Sequence, residues 1–227
     1  MDELKGYLVT AARLAWQAFR AEHPSETFYA FSLDMYPLGS SVAAKANTEE
    51  RLKKSVEDYL KRWQPTSPPE RLEEVIEDFR WHSGDWSYCN LALLETANKW
   101  LQNHGDHSAE NGRRVGNCCM DVLRALDNEG LFGKGKERAK MYITLSWGDL
   151  SLNEILDRAK VLNPPAVYER CRRHMIAGYE AWRATYKERM LALLATLPPR
   201  PPELGPFDIE PPEIDLSAHL RPAQEQE

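Results

Sequence analysis

The chain has 227 residues, 42% of them hydrophobic and 28% charged, with a formal net charge of −6. That length carries one good core, or one domain with an appendage, and no run approaches the roughly 18 consecutive apolar residues of a membrane span. The opening residues, MDELKGYLVTAARLAWQAF, are acidic where a secretory leader is basic, and their apolar residues form a stripe instead of a block, so the expected address is the cytoplasm.

Taken in chain order, residues 3–22 read as an amphipathic helix, with Leu4, Leu8, Ala11, Ala15 and Phe19 on one face and Pro24 just beyond its end. Thr27 to Leu33 is short and aromatic enough for a strand. Asp34 to Gly39 has turn chemistry, and Ser41 to Ala46 returns antiparallel. Asn47 or Thr48 caps a helix reaching about Trp63, with Glu49 and Glu50 in its first turn, before QPTSPP breaks it. Further helices are expected over 70–79, 91–102, 108–128 and 151–161, and from Pro165 to about Leu197. A strand is expected over 139–147. The fold class is therefore α+β, mostly helical with a small antiparallel sheet.

The charge is unevenly placed. Residues 198–227 hold seven acids against two arginines, leaving the rest of the chain close to neutral, and they hold eight of the fifteen prolines. They read as a disordered or extended acidic tail on a globular domain of residues 1–197. Neither part has the basic stripe that nucleic-acid binding needs. Of the four cysteines, Cys118 and Cys119 are adjacent, Cys89 and Cys171 stand alone, and no metal-type spacing occurs; free thiols are expected.

The densest local chemistry is Arg80-Trp81-His82-Ser83-Gly84-Asp85-Trp86-Ser87-Tyr88-Cys89-Asn90. Trp81, Trp86 and Tyr88, with Asp85, form a candidate partner-recognition surface, because aromatic anchors dominate interface hot spots. Packing against the sheet is the commoner use of such residues. Arg80 is expected to pair with Asp85 or Asp149. Asp78, His82, Asp85, His104, Asp106 and His107 are the set nearest to acid–base or metal chemistry. They lack a helical ligand spacing or a triad order, so no catalytic residue and no metal ligand is assigned and no cofactor is expected. A small hydrolase built on His82 and Asp85 stands as the alternative. Cys118 and Cys119 fall on an apolar helix face as inert filling, and Gly133-Lys134-Gly135-Lys136 is a solvated turn. Asp34 and Asp149, each at a strand end, are expected to cap turns. In the tail, Phe207, Ile209, Ile214 and Leu216 alternate with Asp208, Glu210, Glu213 and Asp215, a pattern suited to docking on a cationic partner.

The segments FYAFSLDMYPLGSSVAAKANTEE, RWHSGDWSY and MYITLSWGDLSLNEILDRAKVLNP, in that order, resemble the bacterial family catalogued as domain of unknown function 4303. The resemblance covers roughly residues 1–190 and brings no catalytic residues with it. What it implies is a context: small bacterial cytoplasmic domains that act as immunity proteins beside secreted toxins. The expected function is thus a non-enzymatic binding protein that neutralises a cationic bacterial toxin, without nucleic acid or membrane.

Overall fold

A computed structural model of the chain describes residues 1–63, 72–106, 108–147, 150–196, 211 and 213–220, with backbone alone at 63 and 74. Two strands, β1 (Phe28–Met35) and β2 (Val42–Thr48), pair antiparallel as their aromatic and small residues suggest. The turn between them puts Leu38 at φ 58° and Gly39 at φ 72°, and Gly39 lies so close to Val115 that a Cβ would stand 3.0 Å from its side chain.

The sheet is four-stranded in the order β3-β2-β1-β4, with β3 at Tyr88–Asn90 and β4 at Tyr142–Trp147. It is mixed, which corrects the purely antiparallel expectation: β4 lies parallel to β1, from Ala30 opposite Tyr142 to Met35 opposite Trp147. The reason is connectivity. β3 runs in the same direction as β1, and the helices that follow it, at 95–104 and 109–128, return the chain to the end where β1 began, as parallel pairing requires. The strand expected to start at residue 139 begins at Tyr142, because 138–140 wind into a 3₁₀ turn.

Strand alternation divides the molecule into two cores. Phe31, Leu33, Met35, Val42, Ala44, Ala46, Ile143 and Leu145 face helices α1 (Asp2–Glu22), α4 (Glu95–His104) and α5 (Ala109–Asn128). Ala30 and Tyr142 face the other way. They pack with Leu52 and Val56 of α2 (Glu49–Trp63), Trp81 of α3 (Leu72–Trp81), Ala159 of α6 (Leu152–Leu162), and Val167, Tyr168 and Cys171 of α7 (Pro165–Leu194). A register shift between Phe28 and Ala30 turns Tyr29 to the second core while Phe28 packs on the first.

Capping follows the expected chemistry. Thr48 Oγ1 accepts from Arg51 N at 3.2 Å, Ser108 Oγ accepts from Asn111 N at 3.0 Å, and Ser151 and Glu154 form a reciprocal capping box. Burial pushes the Cys118 thiol up and that of Cys171 up to about 12, the direction of unreactive filling.

Two asparagines finish the sheet where no strand does. Asn163 accepts from Ile143 N at 2.7 Å and donates to Ile143 O at 2.8 Å along the outer edge of β4; Asn98 does the same for Val42 N and O at 2.7 and 3.0 Å. Each side-chain amide stands in for one residue of a missing strand. Asn163→Ala leaves a buried N–H and a buried C=O unpaired, so a loss of about 2–4 kcal/mol is expected, read as a lower urea midpoint with an unchanged slope.

Candidate partner-binding site

The 80–90 segment leaves α3, makes a 3₁₀ turn at Ser83–Asp85 and enters β3, so it crosses the end of the second core. Trp81 and Trp86 are 5% exposed and Tyr88 9%. Trp81 meets Tyr142 edge-to-face at 4.8 Å, and Trp86 stands 6.2 Å from the same ring. Their polar atoms are engaged inside the fold: Trp81 Nε1 donates to Glu77 at 2.9 Å and Trp86 Nε1 to Arg80 O at 3.2 Å. Tyr88 OH donates to Glu26 at 2.6 Å and accepts from Arg51 Nε at 2.9 Å, while His23 stacks on its ring at 4.3 Å. Burial and the bond to Glu26 raise the Tyr88 hydroxyl pKa. The packing use of these aromatics is therefore the one the structure displays. As outward anchors Trp81, Trp86 and Tyr88 are corrected, because their rings complete the two cores; Asp85 is exposed on the turn.

Arg80 organises this region. Its guanidinium meets Glu49 through two parallel bonds, Nη1 to Oε1 at 2.7 Å and Nη2 to Oε2 at 2.8 Å, and lies 4.6 Å over the Tyr29 ring. Glu77 stands 3.4 Å from its Nε and also holds Arg170. These partners replace the expected Asp85, and Asp149 lies outside the described residues. Burial pulls the Arg80 pKa down, but the Glu49 bonds outweigh it and leave it raised. Likewise burial pushes Glu77 up, but bonds from Arg170 and Trp81 bring it below the usual carboxylate value. A shallow hollow of about 410 Å³ opens beside this cluster, floored by Tyr29, Trp81 and Tyr142 and rimmed by Lys140 and Arg170.

Asp34 belongs to β1 and caps no turn. It accepts from Lys45 Nζ at 2.8 Å, Ser83 Oγ at 3.0 Å and Ser32 Oγ at 2.5 Å, and Lys45 also donates to Ser83 O at 3.1 Å. Burial lowers the Lys45 pKa, yet the Asp34 carboxylate outweighs it; the amine is held protonated and ties the 80–90 turn to the sheet.

The histidine and aspartate set is dispersed. Asp78 pairs with His174 at 2.9 Å, and His82 Nδ1 faces the Asp78 carbonyl at 2.7 Å. His104 stacks on Trp100 at 4.5 Å, on the helix that packs against α1 on the other side of the sheet. His107 lies outside the described residues. Among the described residues no three histidine, cysteine or carboxylate side chains converge as metal ligands.

The sequence of the C-terminal segment predicts an extended or disordered tail. Phe207, Asp208 and Glu210 lie outside the described residues, but 213–220 are seated on α6 and α7. Leu216 packs with Leu156 and Ile176, and α8 (Ser217–Leu220) buries His219 to 3% exposure. Ile214 N donates to Tyr179 OH at 3.2 Å, Asn153 Nδ2 to Asp215 O at 2.8 Å, and Arg172 Nη1 to His219 O at 2.5 Å. The backbone is thus held while the Glu213 and Asp215 carboxylates stand outward, Glu213 touching Arg183 at 3.1 Å. Beyond this seat the second half of α7 carries Trp182 and Tyr186, 4.7 Å apart, and exposed Leu191 and Leu193.

Fold and site together define an α+β domain with an acidic C-terminal segment docked on its last long helix. The chain belongs to the family described as Domain of unknown function (DUF4303), whose model matches residues 8–164 and so stops one residue short of α7. No curated protein and no solved structure matches it. No helix among the described residues is long and apolar enough to cross a membrane.

Two outcomes follow from this geometry. Glu49→Gln and Glu77→Gln are each expected to cost about 1 kcal/mol, since Arg80 keeps one carboxylate. The double variant is expected to cost about 1–2 kcal/mol more than the sum, because the buried guanidinium then has none; a double-mutant cycle in urea measures the excess. The second concerns pH. His219 faces Tyr168 OH at 3.1 Å and Asp157 at 3.6 Å, with Arg172 and Lys160 nearby, and burial holds its pKa below the ordinary 6.5. A histidine with a lowered native pKa contributes stability that is complete above 6.5 and is lost as pH falls through the lower native value. Proteolytic cutting next to 213–220 is therefore expected to accelerate across that window, and to lose this pH dependence in His219→Gln.

Proposed function

We propose that this protein is a non-enzymatic, cytoplasmic binding protein of the immunity type, and that it neutralises a cationic bacterial toxin by direct contact. The observation that carries the reading is the seat of the acidic segment. Glu213 and Asp215 stand outward on a backbone bonded to Tyr179, Asn153 and Arg172. Negative charge held in place in the free protein attracts a cationic surface from a distance, and less ordering entropy is lost when the partner arrives.

Trp182 and Tyr186 on α7, to either side of the Arg183 that meets Glu213, and exposed Leu191 and Leu193 further along the same helix supply apolar area, the combination of anchors and charged rim that partner surfaces use. They take over the anchoring role first assigned to Trp81, Trp86 and Tyr88. The remaining tail acids, Asp208 and Glu210 among them, add to the steering charge. The family context points in the same direction by association. Four free thiols, three of them buried, suit a reducing compartment.

The test is co-expression with toxins encoded beside the gene in its native host. The full chain is expected to restore growth and to co-purify with one of them at fixed stoichiometry. Ending the chain at Leu197, or changing Glu213 and Asp215 together to Lys, is expected to weaken affinity by about tenfold or more at low salt, mainly through the association rate. Affinity that survives both changes refutes the role of the segment, and failure of every neighbouring toxin to bind refutes the immunity reading.

A further inference from the structure

The parallel strands β1 and β4 end as register partners at Met35 and Trp147. Space beyond the carboxyl ends of parallel strands is where open α/β sheets take up ligands. Here α5 packs against that end of the sheet through small residues. A Cβ on Gly112 would stand 2.8 Å from the Trp147 ring, so only glycine lets the indole lie on the helix; one turn on, a Cβ on Gly116 would stand 3.7 Å from the Arg158 guanidinium. Arg158 enters from α6 with its guanidinium carbon 6.0 Å from the centre of the Trp147 ring. The facing turn holds Leu38 in the left-handed region, φ 58°, with its carbonyl accepting from Asn111 Nδ2 at 3.0 Å. Non-glycine residues keep such a conformation where the surroundings impose it, often at ligand sites.

Two N–H donors at this place, Trp147 Nε1 and Arg158 Nη1, are buried without an acceptor among the described residues. Buried donors nearly always have partners, and a buried guanidinium without an anion is costly. The other enclosed arginines each meet a carboxylate: Arg138 meets Asp127, Arg172 meets Glu169, and Arg80 meets Glu49, although its Nε also lacks a hydrogen bond and has only the Glu77 carboxylate at 3.4 Å. Glu154, one turn before Arg158, is engaged in capping Ser151. Consistently, burial lowers the Arg158 pKa, whereas the pKa values of Arg80 and Arg172 are raised by their carboxylates.

We infer that Trp147 and Arg158 form an oxyanion-binding site at the carboxyl ends of β1 and β4, and that it takes the phosphate or carboxylate group of a small ligand. Arginine donates to such a group in a planar fork, and the indole N–H adds a neutral donor from the side. This site is independent of the partner surface on α7.

Thermal unfolding of the full chain at pH 7 tests it in sodium phosphate, sodium acetate and sodium chloride at equal ionic strength. A saturable rise in Tm of about 3 °C or more over chloride is expected with at least one of the two oxyanions. A rise in phosphate alone identifies a phosphate site, and a rise in acetate alone a carboxylate site. The rise is expected to vanish in Arg158→Met and to shrink in Trp147→Phe. If Arg158→Met does not fold, Arg158→Lys keeps the charge without the fork, and its rise is expected to be smaller than that of the unaltered chain. No rise with either anion, or an undiminished one in the Arg158 variants, overturns the proposal. So does Asp149→Asn if it lowers Tm only while Arg158 is present, since the acceptor would then be the chain's own carboxylate.

Discussion

The Arg80 guanidinium is the group on which the second half of the molecule depends. It lies between α2, α3 and β1, and its two-pronged contact with Glu49 fixes where α2 can stand relative to the sheet. The carbonyl of the same residue receives Trp86, and the neighbouring Trp81 holds Glu77, which in turn reaches Arg170 on α7. Enclosing a charge this deeply costs solvation, and the Coulomb gain recovers that cost only with good geometry. What the arrangement secures is a defined seat for α7. The acidic segment rests on α7, so a charge contact near one end of the sheet sets the position of carboxylates on the molecule's surface.

Most helices were legible because their periodicity, caps and breakers agree. Thr48, Ser108, Ser151 and Pro165 mark starts that the structure reproduces within a residue or two. The sheet was harder to read. β3 has three residues, and its one inward ring, Tyr88, belongs to a run whose aromatic density suggested recognition instead of pairing. The direction of β4 could not be read from its own residues, because parallel and antiparallel strands share the same alternation and the choice lies in the path of the intervening helices. Nor does sequence distance indicate that Asn163 and Asn98 complete strand edges, which is a matter of where two helices end or pass.

The candidate surface was partly legible. The acidity and the apolar alternation of the last thirty residues were plain in the composition, and Glu213 and Asp215 do stand outward. The aromatic cluster at 80–90 drew attention for a sound reason, since so many rings and charges in one short run must build something specific. What they build is internal: two cores and the polar ties between them. The aromatic residues of α7 were overlooked because Trp182 and Tyr186 fall among Arg183, Lys187, Glu188 and Arg189 in a run that reads as a solvated face.

The pairing of β1 with β4 has a consequence for how the molecule is made. Ala30 and Tyr142 are neighbours in the sheet but about 110 residues apart in the chain. During synthesis β1 and β2 emerge early and can close as a hairpin, yet one edge of β1 stays open until β4 has left the ribosome. Throughout that interval Phe31 and Leu33 sit on a half-built sheet, a surface prone to pairing with the wrong strand. The high sequence separation also slows the final closure. Chaperone dependence and sensitivity to translation speed should therefore concentrate in the interval before Trp147 emerges.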